Sequence, residues 1–369
     1  MSFDLSAVIR PEVATLHAYH VEVPPRGLRA KLDANESPIA LGGSMREEVA
    51  AEMAKALADV DLHRYPDPQA QELRQLLAQD LGVSPGQVMV SNGSDEAILL
   101  LTIAVGVPDA AVLTPVPTFV MYELTARVVG LRFVGVPLSD QFDLDVGRFC
   151  EVLRRERPRL VFLAWPNNPT GRLYEAAAIE EIVRAGCGNG ANALVVVDEA
   201  YTHYAGRTVL PWLAQHPNLV ILRTLSKIGM AGIRLGILVA NAPVVEEINK
   251  TRPPYNVNAL SQAAARVVLR HPDEVRRHAA AIVRERERVL GRLRELQGVT
   301  TYASQANFFL LRTARSGDAV FRGLLERGIL VRNFSHVPYL ADCLRVTIGT
   351  PEENDAFLTA LPDVLGEGR

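Results

Sequence analysis

Seven short apolar runs, most of them separated by amphipathic stretches, constrain the fold of this chain more than any other feature. They are QVMVS (87–91), AAVLT (110–114), LRFVGV (131–136), RLVFLAW (159–165), ALVVVD (193–198), NLVILR (218–223) and RLGILVA (234–240). Continuous Val, Ile and Leu runs joined through helices are typical of strands that are buried on both faces. The pattern predicts an α/β fold, with a mainly parallel seven-stranded sheet sandwiched by helices in a large domain. Ligands of such sheets bind beyond the carboxyl ends of the strands.

A second region begins after residue 252, where RPPYNVN interrupts the rhythm with two prolines. A long amphipathic helix is predicted from about 272 to 296, and the short strands and helices after it indicate a small α+β domain. Residues 1–40 predict an extended arm with one short helix. We therefore expect three parts: an N-terminal arm (1–40) that contributes to the small domain and the substrate site, a large domain (41–270) and a small C-terminal domain (271–369).

The charge balance excludes several classes of partner. The 369 residues include 39 Lys and Arg against 42 Asp and Glu, so no electrostatic footprint for nucleic acid or an anionic membrane is present. The longest apolar run, 97–107, is too short to span a bilayer. Three scattered cysteines indicate neither a disulfide framework nor a zinc site, and the eight histidines form no metal-binding motif. We expect a cytoplasmic protein with a small-molecule partner and no metal.

Two motifs at predicted strand ends present polar groups in turns. SNGSDE (91–96) lies between a strand and an apolar helix, with Ser94 placed to cap that helix. Such a turn exposes backbone N–H groups at a positive helix end and can hold a phosphate, although an ordinary N-cap is the alternative. WPNNPTG (165–171) holds polar side chains at a strand end, and an ordinary turn is the alternative there.

Two further motifs supply an acid and a lysine. VVVDEAY (195–201) ends an apolar strand with Asp198, whose carboxylate at such a depth needs a cationic partner, unless it only caps a helix. RTLSKIGMAGIRLG (223–236) places Lys227, one of only four lysines, seven positions before Arg234. A lysine beside another cation has a lowered pKa and becomes an amine nucleophile, whereas a surface lysine would be idle. A phosphate site, a buried carboxylate, hydrogen-bonding Asn and Tyr side chains and an activated lysine together suit pyridoxal phosphate.

At this point the chain resembles the fold-type I aminotransferases, since SNGSDE, PNNPTG, DEAY and SK...R occur in the order and spacing of that family. The resemblance covers essentially the whole chain. Within these enzymes the chain is most similar to the histidinol-phosphate aminotransferase family, through LDANESP (32–38), RYPDP (64–68), PTFVMYE (117–123), SQANFFL (304–310) and LRVTIGT (344–350).

The resemblance implies a set of residues for pyridoxal 5'-phosphate. Lys227 would carry the Schiff base and shuttle the Cα proton as the catalytic residue, and Asp198 would pair with the pyridine nitrogen. Asn168 and Tyr201 would bond the phenolic oxygen, while Phe119 would stack on the ring where relatives often carry Tyr. The remaining residues would hold the phosphate: the backbone of Ser94, Asp95 and Glu96, and the side chains of Ser226 and Arg234.

The resemblance also implies a homodimer with shared active sites, because Tyr65 would reach the cofactor of the neighbouring subunit. Arg345 matches the arginine that pairs with a substrate carboxylate, and Arg332 matches the family's second arginine. Tyr19 would donate to the substrate phosphate, and Asn35 is a site-lining residue or a turn former. Tyr65 and Asn168 would also contact the substrate.

The implied reaction is a ping-pong amino transfer between L-histidinol phosphate and 2-oxoglutarate that gives imidazole acetol phosphate and L-glutamate, in histidine biosynthesis. Two alternatives on the same fold are an aromatic amino acid aminotransferase and a threonine-phosphate decarboxylase. A remote alternative is a sensor domain that binds pyridoxal phosphate without catalysis, as in some transcription regulators. The first 40 residues contain no recognition helix or basic cluster that would favour it.

Overall fold

The computed structural model describes residues 3–16, 25–38, 47–188 and 190–366. Its α-helices are α1 (Pro11–Ala14), α2 (Glu47–Ala58), α3 (Gln71–Leu81), α4 (Ser94–Ala104), α5 (Met121–Val129), α6 (Val146–Glu156), α7 (Ala176–Ala185), α8 (Thr202–Ala205), α9 (Ala242–Asn249), α10 (Ala259–Arg270), α11 (Pro272–Leu293), α12 (Gly317–Glu326) and α13 (Pro351–Leu365). Its strands are β1 (Ala30–Leu32), β2 (Val88–Asn92), β3 (Ala111–Val116), β4 (Arg132–Pro137), β5 (Leu160–Ala164), β6 (Cys187–Gly188), β7 (Ala191–Asn192), β8 (Leu194–Asp198), β9 (Leu219–Thr224), β10 (Leu235–Ala240), β11 (Val299–Thr301), β12 (Phe308–Thr313), β13 (Ile329–Asn333) and β14 (Cys343–Thr347).

All seven apolar runs form strands of one sheet. Its order is β2-β10-β9-β8-β5-β3-β4, and the neighbours from β9 through β8, β5 and β3 to β4 pair in parallel. Strand β10 runs antiparallel to both β2 and β9, so its first residue lies at the edge where the other strands end. The predicted α/β fold with a mainly parallel seven-stranded sheet is confirmed.

The central strands bury both of their faces. In β5, Val161 and Leu163 pack into one apolar cluster, while Leu160 and Phe162 pack into a second cluster. Because successive side chains of a strand point to opposite faces, the two clusters are the two helix-covered layers of the sheet. This arrangement explains why the strand sequences read as continuous apolar runs and not as an alternation with polar residues.

A second, five-stranded sheet has the order β1-β13-β14-β12-β11. Strand β1, from the N-terminal arm, pairs in parallel with β13, so the arm is joined to the C-terminal strands. The long helix ends at Leu293, three residues before the predicted end at 296. The division into parts at residues 40 and 270 stays a prediction. In the parts of the chain that are described, no helix has both the length and the apolar character needed to cross a bilayer.

Side-chain caps define several helix starts. Asp145 accepts a hydrogen bond from the Arg148 N–H before α6, and Asn258 accepts one from the Ser261 N–H before α10. Thr350 and Glu353 form a reciprocal capping box at α13, which begins with a proline. These caps satisfy N–H groups that the first helical turn leaves without partners.

Candidate active site

A cavity of about 460 Å3 lies at the carboxyl edge of the seven-stranded sheet, and residues of both sheets line it. Most of the predicted site residues are among its lining: Asn35, Ser94, Asp95, Phe119, Asn168, Asp198, Tyr201, Ser226, Lys227, Arg234, Arg332 and Arg345. The ends of β2, β3, β5, β8 and β9 each lead into one or more of them. Parallel strands end at a common edge, so residues far apart in sequence meet there.

The first turn of α4 forms one end of the cavity. Gly93 precedes the helix with a φ of +81°, and a Cβ at this position would lie 2.7 Å from Arg234 Nη2. Glycine therefore suits both the left-handed backbone and the close approach of the guanidinium. Arg234 donates hydrogen bonds to Ser226 Oγ (3.3 Å) and Asp95 Oδ2 (3.4 Å). A helix N-terminus, a hydroxyl and a guanidinium together are suited to binding a phosphate group.

The prediction that Ser94 caps α4 is wrong. Gly93 is the N-cap residue, no side chain makes a capping hydrogen bond, and Ser94 is the first residue of the helix. The left-handed conformation of Gly93 sets the entry of the chain into the helix, a position that a serine would occupy only with backbone strain. Ser94 thus lies inside the positive first turn, where its N–H points along the helix start.

Asp198 ends β8 and is 5% exposed. Its Oδ2 accepts a hydrogen bond from the Tyr122 hydroxyl (2.7 Å), and its Oδ1 accepts one from the Ala200 N–H (3.1 Å). Burial raises the pKa of Asp198 to about 6, and these two hydrogen bonds oppose that rise. None of the described lysines, arginines or histidines forms an ion pair with it, so this carboxylate is suited to a cation that enters the cavity.

Lys227 lies in a short 3-10 turn, Ser226–Ile228, directly after β9. Its Nζ donates a hydrogen bond to the backbone oxygen of Ala34 (3.3 Å). Removal from solvent, and then the positive charge of Arg345, lowers the pKa of Lys227 to about 8. At neutral pH a measurable fraction of this amine is uncharged, which is the state that attacks a carbonyl carbon.

Tyr201, three residues after the end of β8, and Asn168, four residues after the end of β5, also line the cavity. The Tyr201 hydroxyl accepts a hydrogen bond from Asn35 Nδ2 (2.9 Å), and Asn168 Oδ1 accepts one from Arg345 Nη1 (2.7 Å). Burial raises the pKa of Tyr201 to about 12, so the phenol keeps its proton at neutral pH. Tyr201 is therefore a hydrogen-bond donor available to this cavity.

Two arginines of the five-stranded sheet, Arg332 on β13 and Arg345 on β14, lie directly opposite each other as cross-strand partners. The Arg345 guanidinium lies 5.4 Å from the ring centroids of both Phe308 and Phe334. Its Nη2 also donates to the backbone oxygen of Asp33 (2.6 Å). Two guanidinium groups on one side of the cavity favour an anionic substrate, and a fork geometry suits carboxylate or phosphate.

Comparison with known proteins agrees with this geometry. The family model for aminotransferase class I and II matches residues 30–361. The chain belongs to the class I and II aminotransferases. A histidinol-phosphate aminotransferase of Methylibium petroleiphilum is 46% identical over 363 residues, covering 98% of this chain and 95% of that protein. One of Aquifex aeolicus is 42% identical over 357 residues, covering 96% and 98%.

A solved structure extends the likeness to three dimensions. The crystal structure of histidinol-phosphate aminotransferase from Sinorhizobium meliloti in complex with pyridoxal-5'-phosphate has a TM-score of 0.85 and 27% sequence identity, and the match covers 98% of each chain. The predicted resemblance to fold-type I aminotransferases, and among them to histidinol-phosphate aminotransferases, is confirmed.

Three predicted residues of this aminotransferase are not among the cavity lining. The Glu96 carboxylate accepts from the Asn92 N–H (2.7 Å) and Asn256 Nδ2 (2.6 Å), so its side chain anchors the turn before α4. Tyr65 is 81% exposed and stacks on Tyr255 with a centroid distance of 4.6 Å. Tyr19 lies outside the described residues.

Sequence reasoning missed several residues of the aminotransferase cavity. Tyr122 binds Asp198, and its place in PTFVMYE, three residues after Phe119, is a signal that would have found it. The backbone oxygens of Asp33 and Ala34 accept hydrogen bonds from Arg345 and Lys227, and no pattern of side chains predicts such backbone contacts. Among the described residues, no group of three or more His, Cys, Asp or Glu side chains is arranged to hold a metal ion.

Proposed function

We propose that this aminotransferase uses pyridoxal 5'-phosphate to transfer an amino group between L-histidinol phosphate and 2-oxoglutarate, as a histidinol-phosphate aminotransferase of L-histidine biosynthesis. The products are imidazole acetol phosphate and L-glutamate. The observation that carries the proposal is one cavity that contains the buried Asp198, Lys227 with its lowered pKa, a phosphate-binding donor set and two arginines. The likeness to histidinol-phosphate aminotransferases over nearly the whole chain supports the substrate.

The residues present fit this cofactor. Asp198 is a buried carboxylate with a raised pKa, and a protonated pyridine nitrogen is a cation that would favour its charged form. The turn at Gly93, with Ser226 and Arg234, offers the donors that a phosphate ester needs, and a Cβ at Gly93 would obstruct this cradle. Phe119 supplies an aromatic face for stacking, without the phenol hydroxyl of a tyrosine.

When bound, pyridoxal phosphate supplies an aldehyde that condenses with amines and a ring that accepts the electrons left when a Cα–H bond breaks. Lys227 Nζ is the base that would take the Cα proton and return it, because its lowered pKa leaves it partly uncharged at neutral pH. Asp198 would hold the ring nitrogen protonated. Tyr201 and Asn168 would hydrogen-bond the phenolic oxygen.

The arginines would bind the two anionic substrates in turn. Arg345 presents a fork that suits the glutamate carboxylate and the phosphate of histidinol phosphate, and Arg332 adds the second positive charge that a dianion favours. Asn35 lines this side, and Tyr19 is proposed as a further donor to the substrate phosphate.

We also propose a homodimer in which Tyr65 completes the cavity of the second copy, where it would contact cofactor and substrate. Its ring is exposed and does not line the cavity of its own chain, which supports this placement. Substrates are small molecules, and the cytoplasm is the proposed compartment, since Cys150, Cys187 and Cys343 are free thiols.

The test is to load the purified protein with pyridoxal phosphate and to follow the visible absorption of the bound cofactor after separate additions of histidinol phosphate, glutamate, phenylalanine and threonine phosphate. Rapid change with histidinol phosphate and glutamate, and slow or no change with the others, is the expected result. Change with only phenylalanine and glutamate would favour an aromatic aminotransferase. Release of CO2 from threonine phosphate would favour a decarboxylase, and binding without any turnover would favour a sensor.

A further inference from the structure

Asn35 lies after β1 at the cavity, and hydrogen bonds hold both its backbone and its side chain. It is 1% exposed and has a φ of +54°, a left-handed conformation that Asn adopts more readily than most residues. Its backbone N–H donates to Thr347 Oγ1 (2.9 Å), and its backbone oxygen accepts from Asn307 Nδ2 (2.9 Å). These two hydrogen bonds hold the Asn35 backbone at the cavity.

The Thr347 hydroxyl fixes which way the Asn35 amide points. Thr347 Oγ1 accepts from the Asn35 N–H, and its own hydrogen needs an acceptor, which is Asn35 Oδ1 at 3.2 Å. Asn35 Nδ2 consequently faces Tyr201 and lies 2.9 Å from the phenol oxygen. A rotated amide would take away Asn35 Oδ1, the acceptor of the Thr347 hydrogen, and put a nitrogen that cannot accept in its place.

This orientation also determines the direction of the Tyr201 hydroxyl. An amide nitrogen has no capacity to accept, so the tyrosine oxygen must accept from Asn35, and the phenol hydrogen must go elsewhere. Among the described residues no acceptor takes that hydrogen, and Tyr201 lines the cavity. The phenol hydrogen is therefore available to a group bound inside the cavity.

We propose that Asn35 is a positioning residue that forces Tyr201 to donate its hydrogen to the phenolic oxygen of bound pyridoxal phosphate. The inference rests on the proposed function, since it assigns a partner inside the same cavity. The sequence predicts that Asn35 lines the site or forms a turn, whereas this inference makes it a residue that acts through Tyr201. The charged groups that face Tyr201 are Arg345 from β14, Asp198 from the end of β8 and Asp95 from α4.

The experiment measures the pH midpoint at which the visible absorption of the bound cofactor changes, in the loaded protein without substrate. A hydrogen-bond donor draws negative charge away from the phenolic oxygen of the cofactor. That oxygen then attracts the proton on the neighbouring Lys227 nitrogen less strongly, so the nitrogen loses its proton at a lower pH. In Asn35→Asp the carboxylate accepts the Tyr201 hydrogen, and the left-handed backbone is kept because Asp also tolerates it. We expect the midpoint to rise by about one pH unit, the size of one hydrogen bond.

A double-mutant comparison separates this effect from the added negative charge. In a Tyr201→Phe background the carboxylate has no hydroxyl to attract, so Asn35→Asp should shift the midpoint by less than half as much as in the parent chain. Asn35→Gly removes the amide without adding charge, keeps the positive φ, and should raise the midpoint by roughly half a pH unit. Asn307→Ala removes the bond to the Asn35 backbone oxygen and should lower the Tm while leaving the midpoint unchanged.

Several results would overturn the inference. These are equal shifts from Asn35→Asp in the two backgrounds, no shift in Asn35→Gly, or a shift in Asn307→Ala as large as that of the Asn35 variants. The last result would mean that Asn35 only anchors the arm. If the unmodified protein develops no visible band with pyridoxal phosphate, the proposed function fails as well, whereas a normal band with unshifted variants removes only the role of Asn35.

Discussion

The two sides of the cavity are built in different ways. On the side of the seven-stranded sheet, Asp198 is the last residue of β8 and Lys227 lies three residues after the end of β9, so each position follows from its own strand. On the other side, the arm residues Asp33, Ala34 and Asn35 contact Arg345, Lys227 and Tyr201 in turn. These contacts join parts of the chain that are 312, 193 and 166 residues apart.

The difference indicates how changes on each side should behave. Residues at the strand ends are placed by a rigid sheet, so their replacement removes chemistry and leaves the framework in place. Residues of the arm and the five-stranded sheet hold one another through hydrogen bonds, so their replacement alters binding and the alignment of neighbours. Variants on the sheet side should therefore lower kcat, and variants on the arm side should raise KM or change spectra.

The largest expected effect belongs to Lys227→Ala. Among the described residues that line the cavity, Lys227 is the one lysine, so no second amine replaces it. We expect the rate of transamination to fall by at least about 10^3-fold. The midpoint of thermal unfolding should stay unchanged, because the substitution removes a buried amine and adds no polar group to the interior. Steady-state transamination and thermal unfolding measure the two quantities. The control is Lys250→Ala, which replaces an exposed lysine paired with Glu247 and should retain activity. Substantial turnover by Lys227→Ala would refute the catalytic role of Lys227.

Asp198→Asn should have the next largest effect. The amide keeps the shape of the side chain but removes the charge that would stabilise a protonated ring nitrogen, and we expect kcat to fall about 10^2-fold. The measurement is kcat at saturating cofactor, with the cofactor affinity determined in parallel. An unchanged kcat would show that the cavity does not need a carboxylate at this point.

The same variant tests the environment of Asp198 by the pH dependence of stability. The pKa of Asp198 is raised from 3.8 to about 6, so the folded cofactor-free protein holds this proton more tightly than the unfolded chain does. Its contribution to the free energy of unfolding is full below pH 4 and is lost as pH rises to about 6, by about 3 kcal/mol. Denaturant titrations of the parent and Asp198→Asn between pH 4 and 7 should therefore diverge, with the parent losing stability relative to the variant.

The sheet side could be predicted from the sequence because its signals are local. Each apolar run predicts a strand, and a polar residue at the end of such a run predicts a position at the sheet edge, as for Asp198 and Lys227. The contacts of Asn35 could not be found in this way. Its contact to Tyr201 depends on how two sheets pack, and its contact to Thr347 joins residues 312 positions apart in the chain. The start of α4 was also beyond pattern reasoning, because the left-handed turn at Gly93 replaces the side-chain cap expected from Ser94.

On the arm side, Arg345→Lys should raise KM for both anionic substrates with a smaller effect on kcat. An ammonium group cannot reproduce the guanidinium fork, which reaches Asn168 Oδ1 and an anion together. The loss of one charge-assisted hydrogen bond, about 1.5–3 kcal/mol, corresponds to a rise of roughly 10–100-fold in KM. Arg332→Lys is the matched comparison and should affect histidinol phosphate more than glutamate. Equal effects of both variants on both substrates would contradict the proposed division between the arginines.

The smallest expected effect is that of Tyr122→Phe, which tests whether the side chains around Asp198 tune it or only pack against it. The ring would still stack on Phe162, whose centroid is 4.5 Å away, but the hydroxyl that binds Asp198 Oδ2 would be lost. Because that hydrogen bond lowers the pKa of Asp198, its removal should raise the pKa further and slow kcat about fivefold, the size of a bond of about 1 kcal/mol. Tyr174→Phe is the control, since the buried Tyr174 hydroxyl has no hydrogen-bond partner among the described residues and does not line the cavity. Equal kcat values for the two variants would mean that Tyr122 serves packing alone, and that the charge on Asp198 depends on burial and its backbone contact.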